Sequence, residues 1–125
     1  MADVIPPKLD LPFIHQPIGQ VMVVEFKVPS LMDPIVLDAA AKRLYALIDE
    51  EDRRKVILDF EKVQYLSSQA IGILLSMKKK LDALPNSKFV LCGIGARLAE
   101  LLKITRLDKV LTIKPSQQEA LASFT

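Results

Sequence analysis

Apolar runs recur along the chain, each followed by a stretch whose apolar positions return every three or four residues. The first run, "QVMVVEFKV" from Gln20 to Val28, is rich in β-branched and apolar residues and predicts a strand. "PSLMDP" breaks it, and Asp33-Pro34 reads as a helix start: Asp can cap the free amides, and Pro suits the first turn. From Pro34 to about Glu50, the residues Leu37, Ala40, Ala41, Leu44, Leu47 and Ile48 fall on one helical face. The charged run "DEEDRRK" ends that helix as a solvated turn.

"KVILDF", Lys55 to Phe60, is the second strand, and three consecutive apolar residues predict burial on both faces, as in a central parallel strand. "QYLSSQAIG" follows and leads into a helix from about Ser68 to Ala83, with Ile71, Leu74, Leu75, Met77 and Leu81 expected inside and Lys78 to Lys80 on its wet face. "KFVLCGI", Lys88 to Ile94, is a further buried strand. "ARLAELLKI" is a short helix with Leu98, Leu101 and Leu102 inward, and "KVLTI", Lys109 to Ile113, a short strand. Ser116 and Glu119 form a capping box that opens a last helix running through Phe124. Strands alternating with helices predict an α/β fold with a largely parallel sheet and right-handed crossovers.

Residues 1–18 read as a separate arm before a domain at 19–125. Pro6, Pro7, Pro12 and Pro17 keep the arm from being helical, and "FIH" can pair at a sheet edge. His15, alone in this arm, is given no role.

Composition narrows the function classes. The 125 residues fit one domain, and that length buries enough surface to need no disulfide or metal staple. A net charge of +2 is too small to argue for nucleic acid or an anionic membrane surface. Cys92 is the single cysteine and sits in an apolar run, so it reads as a buried hydrophobe. One Cys and one His cannot form the usual zinc site. No signal-peptide pattern and no membrane-length apolar run is present, so a cytoplasmic protein without membrane insertion is expected.

In an open α/β sheet, function gathers at the carboxyl ends of the strands. Asp33, Asp59, Ser67 and Ser68 fall there. Two separated aspartates are no metal-ligand set. "YLSSQAIG" lacks the glycines of a nucleophile elbow, and "GIGA" at Gly93 is a tight turn rather than a nucleotide loop. A response-regulator receiver competes, since Asp59 ends a central strand and "IKP" mimics its Lys-Pro pair. It lacks the acidic pair after the first strand, where only Glu25 is available inside the strand. Two serines at a helix start remain. Both can act merely as caps; alternatively, one caps while the other presents a hydroxyl whose phosphate the free amides and helix dipole would accept.

"VILDFEKVQYLSSQAIGILLSMKKKL", continued through "KFVLCGIGARLAELLKITRLDKVLTI", resembles the STAS family of anti-sigma factor antagonists and relatives, over roughly Gly19 to Phe124. The resemblance implies the STAS fold, a small mixed and mostly parallel sheet flanked by about four helices. It implies no catalysis and no cofactor. In its antagonist branch, an anti-sigma factor that is a GHKL-type serine kinase phosphorylates a serine at this helix start, and a serine phosphatase restores it. By position the acceptor is Ser68. The neighbours implied to shape the site and bind the partner are Ser67, Gln69, Ala70, Gly72, Asp33 and Asp59. Two positions depart from the family pattern: Ser67 stands where many members carry an acid, and Ala70 where they carry glycine. A non-phosphorylated scaffold, or an accessory subunit of a signalling or lipid-transport assembly, is the alternative the family leaves open.

Overall fold

The computed structural model describes residues 11–124. Most of the expected arm, with Pro6 and Pro7, lies outside the described residues. Its remainder is strand β1 (Phe13–Ile18), which pairs antiparallel with β2 (Val21–Phe26) through a turn at Gly19, φ +61°. Pro17 is tolerated because β1 is an edge strand and its missing N–H interrupts no central ladder.

The chain continues through β3 (Ser30–Leu31), α1 (Pro34–Asp49), β4 (Lys55–Asp59), β5 (Tyr65–Leu66), α2 (Ser68–Asp82), β6 (Lys88–Cys92), α3 (Ala96–Ile104), β7 (Thr112–Lys114) and α4 (Gln117–Ala122). The main sheet has the order β1-β2-β4-β6-β7, and every pair after the first is parallel. The expected mixed, mostly parallel sheet with four helices is therefore what forms. The order is sequential, whereas a receiver reverses direction beside its first strand, so that reading fails.

Side-chain alternation sorts the strands' two faces. Met22, Val24, Val56, Leu58 and Leu91 join the large core under α1 and α2. Val21, Val23, Ile57, Val90 and Cys92 face the other way and form a smaller cluster with Ala120 of α4. Three right-handed crossovers in sequential order place their helices on one face, which leaves the other to the C-terminal helix.

Three expectations change. The pair β3–β5, a two-stranded parallel sheet of its own, was not legible because two-residue strands carry no period. "KVLTI" is not one strand: Arg106 adopts φ +63°, a 3₁₀ turn follows at Leu107–Lys109, and the strand starts only at Thr112. The turn puts Leu107 and Leu111 together in the core, their backbones joined by a 2.8 Å hydrogen bond. Leu75 is 37% exposed rather than inside, because the buried stripe of α2 is Ala70, Ile73, Leu74, Met77 and Leu81.

Candidate functional site

The small sheet β3–β5 fixes two helix starts side by side. Leu31 pairs with Leu66, and the Ser67 amide donates to the Leu31 carbonyl at 3.1 Å. Two residues after Leu31, Asp33 Oδ1 accepts from the Ile35 amide at 2.9 Å and caps α1. One residue after Leu66, Ser67 Oγ accepts from the Ala70 amide at 3.2 Å and caps α2. Extended backbone at both caps (ψ 117° and 168°) is what a side-chain cap requires.

Ser68 is the first residue of α2. It is exposed, and its hydroxyl has no hydrogen-bond partner among the described residues. Its own amide and that of Gln69 lie in the first turn, where no preceding helical carbonyl can reach them. No acid occupies this turn, while Lys79 and Lys80 stand in the last, so the dipole is complemented at one end only. Gln69 turns aside and donates to Asp38 Oδ1 of α1 at 2.8 Å. Ala70 is buried at the helix interface. Gly72, one turn after Ser68, is exposed, and a Cβ there would meet nothing. Ser68, Gly72, Leu75 and Lys79 thus form the outer face of α2.

Large apolar side chains are exposed around this point. Met32 is 52% and Ile35 68% exposed beside the Asp33 cap, and Tyr65 is 43% exposed before Ser67. The Arg97 guanidinium lies 4.9 Å from the Tyr65 ring centroid. Met32, Tyr65, Leu66, Arg97 and Leu101 border a shallow depression of about 220 Å³. Sequence reasoning missed this rim. Its one signal was Ile35, an apolar residue off the buried stripe of α1.

Asp59 does not share this site. The side chain lies on the face of Ile57 and Cys92, across the sheet from α2. It is 4% exposed; Oδ1 accepts from the Glu61 amide at 2.9 Å and Oδ2 from Gln117 Nε2 at 2.8 Å, tying the end of β4 to α4. Strand alternation points Asp59 with Ile57, not with Leu58, and so away from the face that α2 covers. Asp33 is at the site, as a cap. Cys92 is buried beneath α4; burial first, then the nearby Asp59 carboxylate, pushes its thiol up to about 12 and makes it unreactive at neutral pH. Among the described residues, no group of three or more His, Cys, Asp or Glu could hold a metal, and no helix is long and apolar enough to cross a membrane.

Comparison with known proteins places this arrangement. A protein of Bordetella bronchiseptica named as an anti-sigma factor antagonist, BtrV, is 28% identical over 81 residues, covering 65% of this chain and 68% of its own. The structure of an anti-sigma-factor antagonist (STAS) domain protein from Planctomyces limnophilus superposes with a TM-score of 0.82 at 24% identity, covering 93% of this chain and 99% of that one. The Bacillus cell fate determinant SpoIIAA in its phosphorylated form superposes with a TM-score of 0.71 at 15% identity, covering 90% and 99%. The family model for the STAS domain matches residues 16–120, most of the chain including both helix starts, and the chain belongs to the STAS domain family.

Proposed function

We propose that this chain is a non-catalytic anti-sigma factor antagonist of the bacterial cytoplasm, switched by phosphorylation of Ser68. Unmodified, it binds an anti-sigma factor over the start of α2 and so affects transcription. A serine kinase, the anti-sigma factor itself, moves the γ-phosphoryl group of ATP to Ser68 Oγ, releasing ADP and the hydroxyl proton, and a serine phosphatase reverses the state by hydrolysis.

The observation that carries this reading is the division of labour between two adjacent serines. Ser67 spends its oxygen on the Ala70 amide, whereas Ser68 presents a free hydroxyl to solvent at the positive end of a 15-residue helix. A phosphate on Ser68 meets unpaired amides and a dipole that favours its charge. It adds roughly −1.5 to −2 charge to a surface bordered by exposed Met32, Ile35 and Tyr65. A partner that covers those apolar groups would have to desolvate the phosphate, which is costly, and so leaves. The relative's name and the phosphorylated state of the structural neighbour support the same reading.

The test is an intact-mass measurement after incubation with ATP and soluble extract of the source organism. Wild type is expected to gain one phosphoryl group and Ser68→Ala none. Modification that persists in Ser68→Ala, or none with any native kinase, contradicts the switch and favours a constitutive scaffold or accessory subunit.

A further inference from the structure

At the opposite end of the sheet from Ser68, three cations gather without a carboxylate in salt-bridge contact among the described residues. Lys55 and Lys88 open β4 and β6 and are paired in register. By alternation both point to the α4 face, with Ile57 and Val90. Adjacent strands are about 4.8 Å apart, and like charges directly across a ladder are destabilising. Lys88 is held by the end of α4, its Nζ 5.0 Å from the Phe124 ring centroid, whereas no such contact holds Lys55 among the described residues.

The cavity between them, about 910 Å³, is lined by glycine and polar residues and also bordered by Arg53, Arg54, Glu51 and Asp52. Local pairing explains only some of its charges. Arg54 Nε bonds Asp52 at 3.0 Å, and Glu51 bonds Arg43 at 2.8 Å. That leaves Arg53, Lys55 and Lys88 with no ion pair among the described residues. Among the described residues, Lys55 Nζ reaches only the neutral Gln20 Oε1 at 3.2 Å, Lys88 Nζ donates to the Ser123 carbonyl, and the buried Arg53 Nε has no hydrogen-bond partner. A second hollow of about 370 Å³ shares Gly19, Gln20 and Lys55 with the first, and its wall is apolar: Ile18, Val21, Leu121 and Phe124.

We propose that this end of the sheet binds an anionic amphiphile, with its phosphate or carboxylate head among Arg53, Lys55 and Lys88 and its apolar body along Ile18, Val21, Leu121 and Phe124. The head relieves the repulsion between two facing lysines and gives the Arg53 fork an acceptor. The apolar body covers Phe124 and the 39%-exposed Ile18. A bare inorganic anion would leave the apolar hollow wet, and an uncharged amphiphile would leave the cations unpaired. The site does not rest on the switch at Ser68, which lies beyond the carboxyl ends of the strands.

The test is an NMR titration of the full chain with octyl phosphate, inorganic phosphate and octyl glucoside, repeated on Lys55→Gln. Octyl phosphate is expected to shift the amides of Lys55, Lys88 and Phe124, and to bind at least about tenfold more tightly than either control. Lys55→Gln is expected to weaken it by about tenfold while melting no lower than wild type, since the variant removes a like charge. Flotation with phosphatidic acid vesicles separates the sources of the ligand: flotation lost in Lys55→Gln assigns a membrane lipid, and none assigns a soluble amphiphile. Equal binding of octyl glucoside, shifts confined to other surfaces, unchanged affinity in Lys55→Gln, or no binding overturns the proposal.

Discussion

Gln69 Nε2 lies 2.8 Å from Asp38 Oδ1, so the residue after the candidate acceptor is bonded across to the neighbouring helix. This contact, with the Ser67 amide on the Leu31 carbonyl, holds the first turn of α2 against α1. The bond is exposed and charge-assisted. Gln69→Ala is expected to cost about 0.5–1.5 kcal/mol in urea denaturation. A double-mutant cycle with Asp38→Ala should return a coupling of the same sign; a coupling indistinguishable from zero would remove the contact from the account.

The two serines should separate cleanly by mutation. Ser67→Ala loses a cap and should lower unfolding free energy by about 1 kcal/mol. Ser68→Ala, with no hydrogen-bond partner to lose among the described residues, should stay within about 0.5 kcal/mol of wild type. Chemical denaturation of both variants measures this directly, and the reverse ranking would mean that the capping assignment is inverted.

Gly72 has no internal reason to be glycine. A Cβ there meets nothing and the helix is regular, so Gly72→Ala should raise stability by about 0.5–1 kcal/mol. On the proposed docking face, the same methyl group stands in the way of a partner. Gly72→Ala is therefore expected to weaken anti-sigma factor binding while stabilising the chain, and larger residues should weaken it further. A binding titration in which Gly72→Leu matches wild type would show that the partner docks elsewhere.

Asp59 is expected to matter for stability and not for modification. Removing it as Asp59→Ala leaves the Glu61 amide and the Gln117 side chain unpaired, at a cost of about 1–3 kcal/mol. Gly93 is its steric counterpart: φ is +69°, and a Cβ would sit 2.8 Å from Asp59 Oδ1 and 2.9 Å from the Glu61 amide. Gly93→Ala should thus destabilise by more than about 1 kcal/mol. Both variants, under conditions where they remain folded, should accept phosphate on Ser68 at the wild-type rate; a large drop for Asp59→Ala would reconnect that carboxylate to the acceptor.

Cys92 predicts an alkaline limit. Its thiol is held at about 12 against an ordinary 9.0, so between these values the unfolded chain releases a proton that the folded chain retains. Its contribution to stability is complete below pH 9 and is lost as pH rises through the window. Urea midpoints measured across that range should fall for wild type and fall less steeply for Cys92→Ala. Native protein at neutral pH should resist thiol alkylation that the unfolded chain accepts.

Much of this was legible because period and punctuation coincide. Asp33-Pro34 marked the start of α1, and Ser116 with Glu119 marked the cap of α4. Strands β4 and β6 announced themselves as apolar runs bounded by lysine. The serine pair was visible, but its division of roles was not, since sequence cannot tell which hydroxyl folds back on an amide. The face that Asp59 takes was hidden for a similar reason: being at a strand's carboxyl end says nothing about which face a residue takes until the sheet's register is known. The rim of Met32, Ile35 and Tyr65 escaped because exposed apolar residues in short connections look like ordinary core. The cations of Arg53 and Lys55 read as a solvated turn until β6 brought Lys88 alongside.

The central claim is that the charge state of Ser68 decides partner binding. The direct measurement is the affinity of the source organism's serine-kinase anti-sigma factor for the chain in two forms, unmodified and phosphorylated only at Ser68. The account predicts that the unmodified form binds and that phosphorylation weakens binding by at least about tenfold, the equivalent of about 1.4 kcal/mol. Equal affinity of the two forms, or tighter binding by the phosphorylated one, would contradict it.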